Sequence, residues 1–182
     1  MSRAVGFLEL NSIARGIFAG DAMLKAAAVK LVMAQPVCAG KYMLIVSGDT
    51  AAVEASVAAG NAAAGSNGVD HAVLSNIDDS VLQAMATATS VERREAVGVI
   101  ETFSLTASIL AADIAVKAAR VELIEVRLGR GLGGKSFVLL TGQTADVKAS
   151  VSCVLGDKSI EGMVVSTAVI PSLHEDMYNQ IL

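Results

Sequence analysis

Among the residues able to do chemistry, Cys38 has the most telling setting, the segment Gln35-Pro36-Val37-Cys38-Ala39-Gly40-Lys41. Pro36 has no backbone donor and disfavours regular pairing, and Gly40 follows at once, so the thiol belongs to a loop and not to a core strand. Cysteine thiolates hold metals, and a cation nearby lowers a thiol pKa, a service Lys41 is placed to give. The plainer alternatives are a small apolar filler at Cys38 and a solvated loop lysine at Lys41. Cys153 stands among Val151 and Val154 in a helical stretch, where a buried, inert thiol is expected. Two cysteines at unrelated positions make no disulfide framework and point to the cytosol.

The other candidates are weaker. Gly129-x-Gly131-x-x-Gly134 matches a dinucleotide fingerprint letter for letter. That fingerprint needs a helix N-terminus after it to receive a pyrophosphate, whereas Phe137-Val138-Leu139-Leu140 reads as a strand. A tight loop is the better reading. His71 and His174 have no second His, Cys or carboxylate at a metal-ligand spacing, so turn or surface roles are expected. Glu9 and Glu101 are equivalent strand-end carboxylates, which suits a structural hydrogen-bonding role. No Ser/His/Asp or Cys/His constellation supports an active site, and a non-catalytic protein is expected.

The elements that position these residues come from a duplication. Ala4-Val5-Gly6-Phe7-Leu8-Glu9-Leu10 returns as Ala96-Val97-Gly98-Val99-Ile100-Glu101-Thr102, an offset of 92. Ile13, Ile17, Gly20, Leu24 and Ala27 are matched by Leu105, Ile109, Ala112, Val116 and Ala119, a spacing that turns one helical face to a sheet. Asp21, Lys25, Val29 and Leu31 are matched by Asp113, Lys117, Val121 and Leu123. Each half reads strand, helix, strand, strand, helix, strand. The first copy is predicted at 4–10, 12–28, 29–33, 42–46, 50–64 and 71–74. The second is predicted at 96–102, 104–119, 121–128, 136–140, 144–154 and 163–168. Ser12 and Ser104 are placed to cap the helices that follow. This β-α-β-β-α-β order is a ferredoxin-like variant of the α/β (α+β) class. The domains are taken as 1–90 and 91–182, with a polar linker over 87–95. Between second and third strands the halves diverge: 35–41 is answered by 129–135, which is two residues longer.

Composition says where the apolar surplus goes. The chain of 182 residues is 53% hydrophobic, 3% aromatic and has mean hydropathy +0.58, more apolar surface than two small domains can hide. No apolar run reaches the roughly 18 residues of a membrane helix, and the N-terminus leads straight into a strand without a signal-peptide pattern. The net charge of −4 and the lack of a Lys/Arg cluster with aromatics argue against nucleic acid. Subunit interfaces are the expected destination.

The residues also resemble a known family. Ala-Val-Gly-x-x-Glu-Thr, Ala-Ala-Asp-x-x-x-Lys-Ala-Ala-x-Val, Gly-x-Gly-Gly-Lys and Val169-Ile170-Pro171-x-x-His174 are similar to motifs of the bacterial microcompartment (BMC) shell domain. The first half matches more loosely, with Asn76-Ile77-Asp78 in place of the family's Ile-Pro turn, and Ser172 stands where the family often has Arg. Two unpermuted domains with one Cys in the first pore loop resemble the tandem shell proteins of propanediol-utilising compartments. The resemblance implies a homotrimer of pseudo-hexagonal shape, tiling with other shell proteins in a cytoplasmic shell. It implies that Val37, Ala39, Gly40, Gly131, Leu132 and Gly133 line a central pore, and that Lys25 and Lys117 stand at disc edges. It also implies a 4Fe-4S cluster, one per trimer, on three Cys38 thiolates with one iron open to a non-protein ligand. Such a cluster would pass electrons across the shell to a cytosolic or encapsulated redox enzyme, or deliver cluster cargo inside. Two alternatives are a cluster-free trimer whose pore passes small metabolites and a soluble small-ligand regulator.

Overall fold

The computed structural model describes residues 4–91, 95–129 and 131–181. Two four-stranded antiparallel sheets organise the chain, with orders β2-β3-β1-β4 and β6-β7-β5-β8. The first comprises β1 (Ala4–Leu10), β2 (Lys30–Val37), β3 (Lys41–Gly48) and β4 (Gly68–Leu74), and the second β5 (Ala96–Thr102), β6 (Val121–Leu128), β7 (Ser136–Gly142) and β8 (Val164–Ile170). Helices α1 (Ile13–Ala26), α2 (Thr50–Ala64), α4 (Leu105–Ala118) and α5 (Thr144–Gly156) take their expected places. Ser12 and Ser104 accept the N–H of Arg15 and Ala107, so both predicted caps form. The repeat order β-α-β-β-α-β is present twice, with β2 reaching four residues further than predicted, from 33 to 37.

That extension carries Pro36 into a strand. Pro36 pairs in register with Tyr42, and β2 is the edge of its sheet, where a missing N–H can face outward at no cost to the ladder. The strand ends at Val37, and Cys38–Gly40 forms a tight turn into β3. Cys38 therefore lies in a turn, as its sequence setting implied.

The first unit runs to Ile77 and includes Gly129–Gly134; the second comprises Asp78–Leu128 and Lys135–Leu182. The division falls at 77/78 rather than at 90/91. Two helices that the repeat did not announce, α3 (Asp79–Met85) and α6 (Glu175–Ile181), follow the last strand of each copy. Within the second unit α3 packs along β6 and against α4. Tyr178 anchors α6, its hydroxyl donating to the Glu95 carbonyl. Part of the predicted linker, residues 92–94, lies outside the described residues.

In the first unit α1 turns Gly16, Ala19, Gly20 and Met23 inward, onto a core with Leu8, Leu44, Val53 and Val57. Gly16 is there because Tyr42 is: a Cβ would sit 2.4 Å from the Tyr42 ring. This corrects the predicted stripe, since Ile13, Ile17 and Leu24 are 44%, 60% and 42% exposed. Of their duplicates, Leu105 and Ile109 are buried as expected and Val116 is half-buried. A second correction concerns Cys153, which is exposed. Helix α5 buries Val147, Ser150, Val151 and Val154, and position 153 falls on its outer side.

Candidate functional site

Cys38 opens the tight turn between β2 and β3. Ala39 adopts φ +61° and Gly40 φ +72°, so two successive left-handed residues reverse the chain within three positions. Gly40 meets this at no steric cost; Ala39 does so under modest strain. Ala39 and Gly40 are exposed, and Val37 and Cys38 half-buried.

The glycine-rich segment of the second repeat lies beside this turn, within the first unit. Gly131, Gly133 and Gly134 have φ +75°, +62° and +89°, conformations that L side chains rarely adopt. Desolvation pushes the Cys38 thiol pKa up, but backbone N–H groups of Leu132, Gly134, Gly131 and Gly133 together outweigh it and hold the thiol below its ordinary value. Donors aimed at sulfur stabilise the thiolate, the form that ligates metal. The loop is tied down by Lys41, whose Nζ donates to the Gly134 carbonyl at 2.7 Å and to Glu9 Oε1 at 2.6 Å. Glu9 is fully buried and the Lys41 side chain only 14% exposed, so Lys41 is no solvated loop lysine.

The structure thus brings Cys38 together with Gly131, Leu132 and Gly133, all predicted site residues, and adds Gly134, Lys41 and Glu9. The recurrence of Glu9 as Glu101 and of Lys41 as Lys135 was the available signal, because Lys135 pairs with Glu101 at 3.0 Å in the second copy. Lys25 and Lys117 lie elsewhere, in the last turns of α1 and α4, paired with Asp21 and Asp113 at 2.6 Å each. Gly129-x-Gly131-x-x-Gly134 leads into β7 and not into a helix, so it is no dinucleotide site. His174 sits 3.5 Å from Asp176 on the surface, and His71 is exposed on β4.

Among the described residues no three His, Cys, Asp or Glu side chains gather to hold a metal ion. One chain offers at this loop a single soft thiolate donor. That donor set suits iron–sulfur or another thiophilic metal only when several copies pool their sulfurs. A groove of about 320 Å³ lies in the second unit, beside Thr89, Ile124 and Phe137. Its charged lining residues, Glu125 and Arg127, already pair with each other at 2.7 Å.

The family model described as "BMC domain" matches residues 4–77 and 96–173. The bacterial microcompartment shell protein PduT of Citrobacter freundii is 44% identical over 182 residues, covering 100% of this chain and 99% of that protein. A crystal structure of a microcompartments protein from Desulfitobacterium hafniense DCB superposes with a TM-score of 0.85 at 47% identity, covering 98% of this chain and 99% of that one. The shell protein EutM of Salmonella typhimurium is 40% identical over 84 residues, 46% of this chain and 84% of its own.

Proposed function

The chain belongs to the BMC-domain family of microcompartment shell proteins, and on that premise we propose that it carries a 4Fe-4S cluster on Cys38 and passes electrons across the shell. It is a structural shell protein like PduT, a component of microcompartment shells in the cytoplasm. The observation that carries the redox reading is the setting of Cys38: a half-buried thiol in a strained turn beside the glycine segment, whose backbone N–H groups lower its pKa. Such a setting favours a thiolate with a job over a filler, because a filler needs no donors.

Each chain supplies one sulfur, so a homotrimer supplies three and leaves one iron to a non-protein ligand. When bound, the cluster supplies one-electron transfer at the pore, which spares bulky reduced cofactors the crossing. The chain's own residues hold the ligand: the turn presents the sulfur, and the loop amides favour its ionised form. Self-association has separate support in the exposed face of α1 and β2. Ile17 and Phe18 on α1 and Val32 on β2 are each more than half exposed, apolar side chains that a second copy would cover. Lys25 and Lys117, each in an exposed or half-exposed ion pair, are the proposed contacts at disc edges.

The test is anaerobic purification with iron and sulfide counted per trimer, for wild type and Cys38→Ser. The expected result is about four irons per wild-type trimer, and a colourless variant of unchanged oligomeric state. A variant that keeps the cluster's absorption spectrum refutes the ligand assignment. A wild type without iron favours the open pore that passes small metabolites.

A further inference from the structure

The duplication gives each repeat a carboxylate–lysine pair, and the two copies have diverged. Glu101 and Lys135 are 37% and 44% exposed, a setting in which an ion pair contributes little. Glu9 and Lys41 are 0% and 14% exposed. Charges that far from water must be well hydrogen-bonded to be tolerated. Lys41 meets that demand by reaching out of its own repeat to the Gly134 carbonyl. Contact there is close, since a Cβ on Gly134 would lie 3.2 Å from Lys41 Cε and 3.4 Å from Ala39 Cβ. The end of the glycine loop is therefore clamped beside the residue that follows Cys38.

We propose that Glu9 and Lys41 are positioning residues, clamping the Gly131–Gly134 loop over the Cys38 turn so that its amides donate to the sulfur and raise the reduction potential of the cluster that sulfur holds. The redox half of this inference rests on the cluster reading; the clamp does not. N–H···S hydrogen bonds stabilise the more negative, reduced state, and hydrogen bonding to sulfur is among the factors that set cluster potentials. Lys41 also adds a positive charge that acts in the same direction. Gly134→Ala separates the two effects, since it crowds the clamp and leaves every charge in place.

The experiment uses the full-length protein as Lys41→Met, Lys41→Arg and Gly134→Ala. Hydrogen exchange of the peptide covering 131–134, in cluster-free protein, reads the clamp. Lys41→Met and Gly134→Ala should exchange there at least about ten-fold faster, while Lys41→Arg, which keeps a donor, stays near wild type. Redox titration of anaerobically prepared protein should then give lower midpoint potentials for Lys41→Met and Gly134→Ala. Unchanged exchange in both variants overturns the clamp. A potential lowered in Lys41→Met alone overturns the amide account and leaves Lys41 as a charge. If wild type holds no iron, the cluster reading fails and the exchange result alone decides the clamp.

Discussion

Ile17 and Ile109 occupy equivalent positions in the duplicated helices, yet Ile17 is 60% exposed and Ile109 fully buried. The same contrast runs through the neighbourhood: Leu31 and Val32 are 40% and 52% exposed, and their duplicates Leu123 and Ile124 are 3% and 5%. In the second unit α3 lies on β6 and the flank of α4 and accounts for part of the difference. The same substitution should therefore act on different equilibria. Ile109→Ala deletes a packed core side chain and should cost the fold about 2–5 kcal/mol. In a chain of this size that lowers Tm by roughly 4–20 °C. Ile17→Ala removes three carbons at about 0.8 kcal/mol each, scaled by an exposed fraction of 60%, or about 1.4 kcal/mol of interface burial. That is about ten-fold in association constant per interface. Sedimentation velocity over a dilution series reads the association, and a thermal scan at fixed low concentration reads the fold. Association unchanged in Ile17→Ala would refute the view that a second copy covers this face. So would a concentration-independent Tm loss equal to that of Ile109→Ala.

Two smaller predictions concern the scaffold. Gly16→Ala drives a Cβ to 2.4 Å from the Tyr42 ring and should destabilise the first unit by about 1–3 kcal/mol, measured by urea denaturation; a neutral result would mean α1 can slide on its sheet. Asp78 caps α3 through Ser80, whose hydroxyl and then backbone N–H hold its carboxyl below the usual range, with Lys117 helping and desolvation opposing. A folded-state pKa below the unfolded one gives stability that is present above the unfolded value, about 3.9, and lost as pH falls through the folded value. Hence α3 should loosen only below about pH 4, and Asp78→Ala should cost about 1 kcal/mol at neutral pH while abolishing that acid step. Hydrogen exchange over Asp79–Met85 measures both, and an acid step persisting in the variant would exclude Asp78 as its source.

The repeat was legible because it is written in residue types that strands and helices need: β1 and β5 begin and end where the paired motifs do, and both serine caps form. Helix α1 was misread for a physical reason. Its apolar residues occupy two faces, and the sheet takes the one bearing Gly16, Ala19 and Gly20, because small residues let the helix approach Tyr42 and Leu44 closely. Periodicity counts large side chains and passes over that face. Helices α3 and α6 were missed because seven residues give barely two turns of pattern. Cys153 was misplaced by its valine neighbours, which point inward from the adjacent face of α5. The Lys41–Gly134 bond spans 93 positions, and no local pattern announces a contact at that separation.

On the proposed cluster reading, fusion of two copies gives the loops a reason to diverge. A ring built from six identical domains repeats every loop six times, and a cysteine there would bring six thiolates to one axis. A cubane cluster takes four ligands, so six anionic sulfurs would crowd and repel. Joining the domains in pairs halves the count. One repeat can then keep the sulfur while the other trades its turn for the glycine segment whose amides receive that sulfur, Gly131–Gly134. On this view the extra two residues of the second loop are what lets it reach across to Cys38. Deleting two residues between Leu128 and Gly133 should therefore leave the second sheet intact, with the Gly134 carbonyl pulled away from Lys41 and Cys38 without its donors.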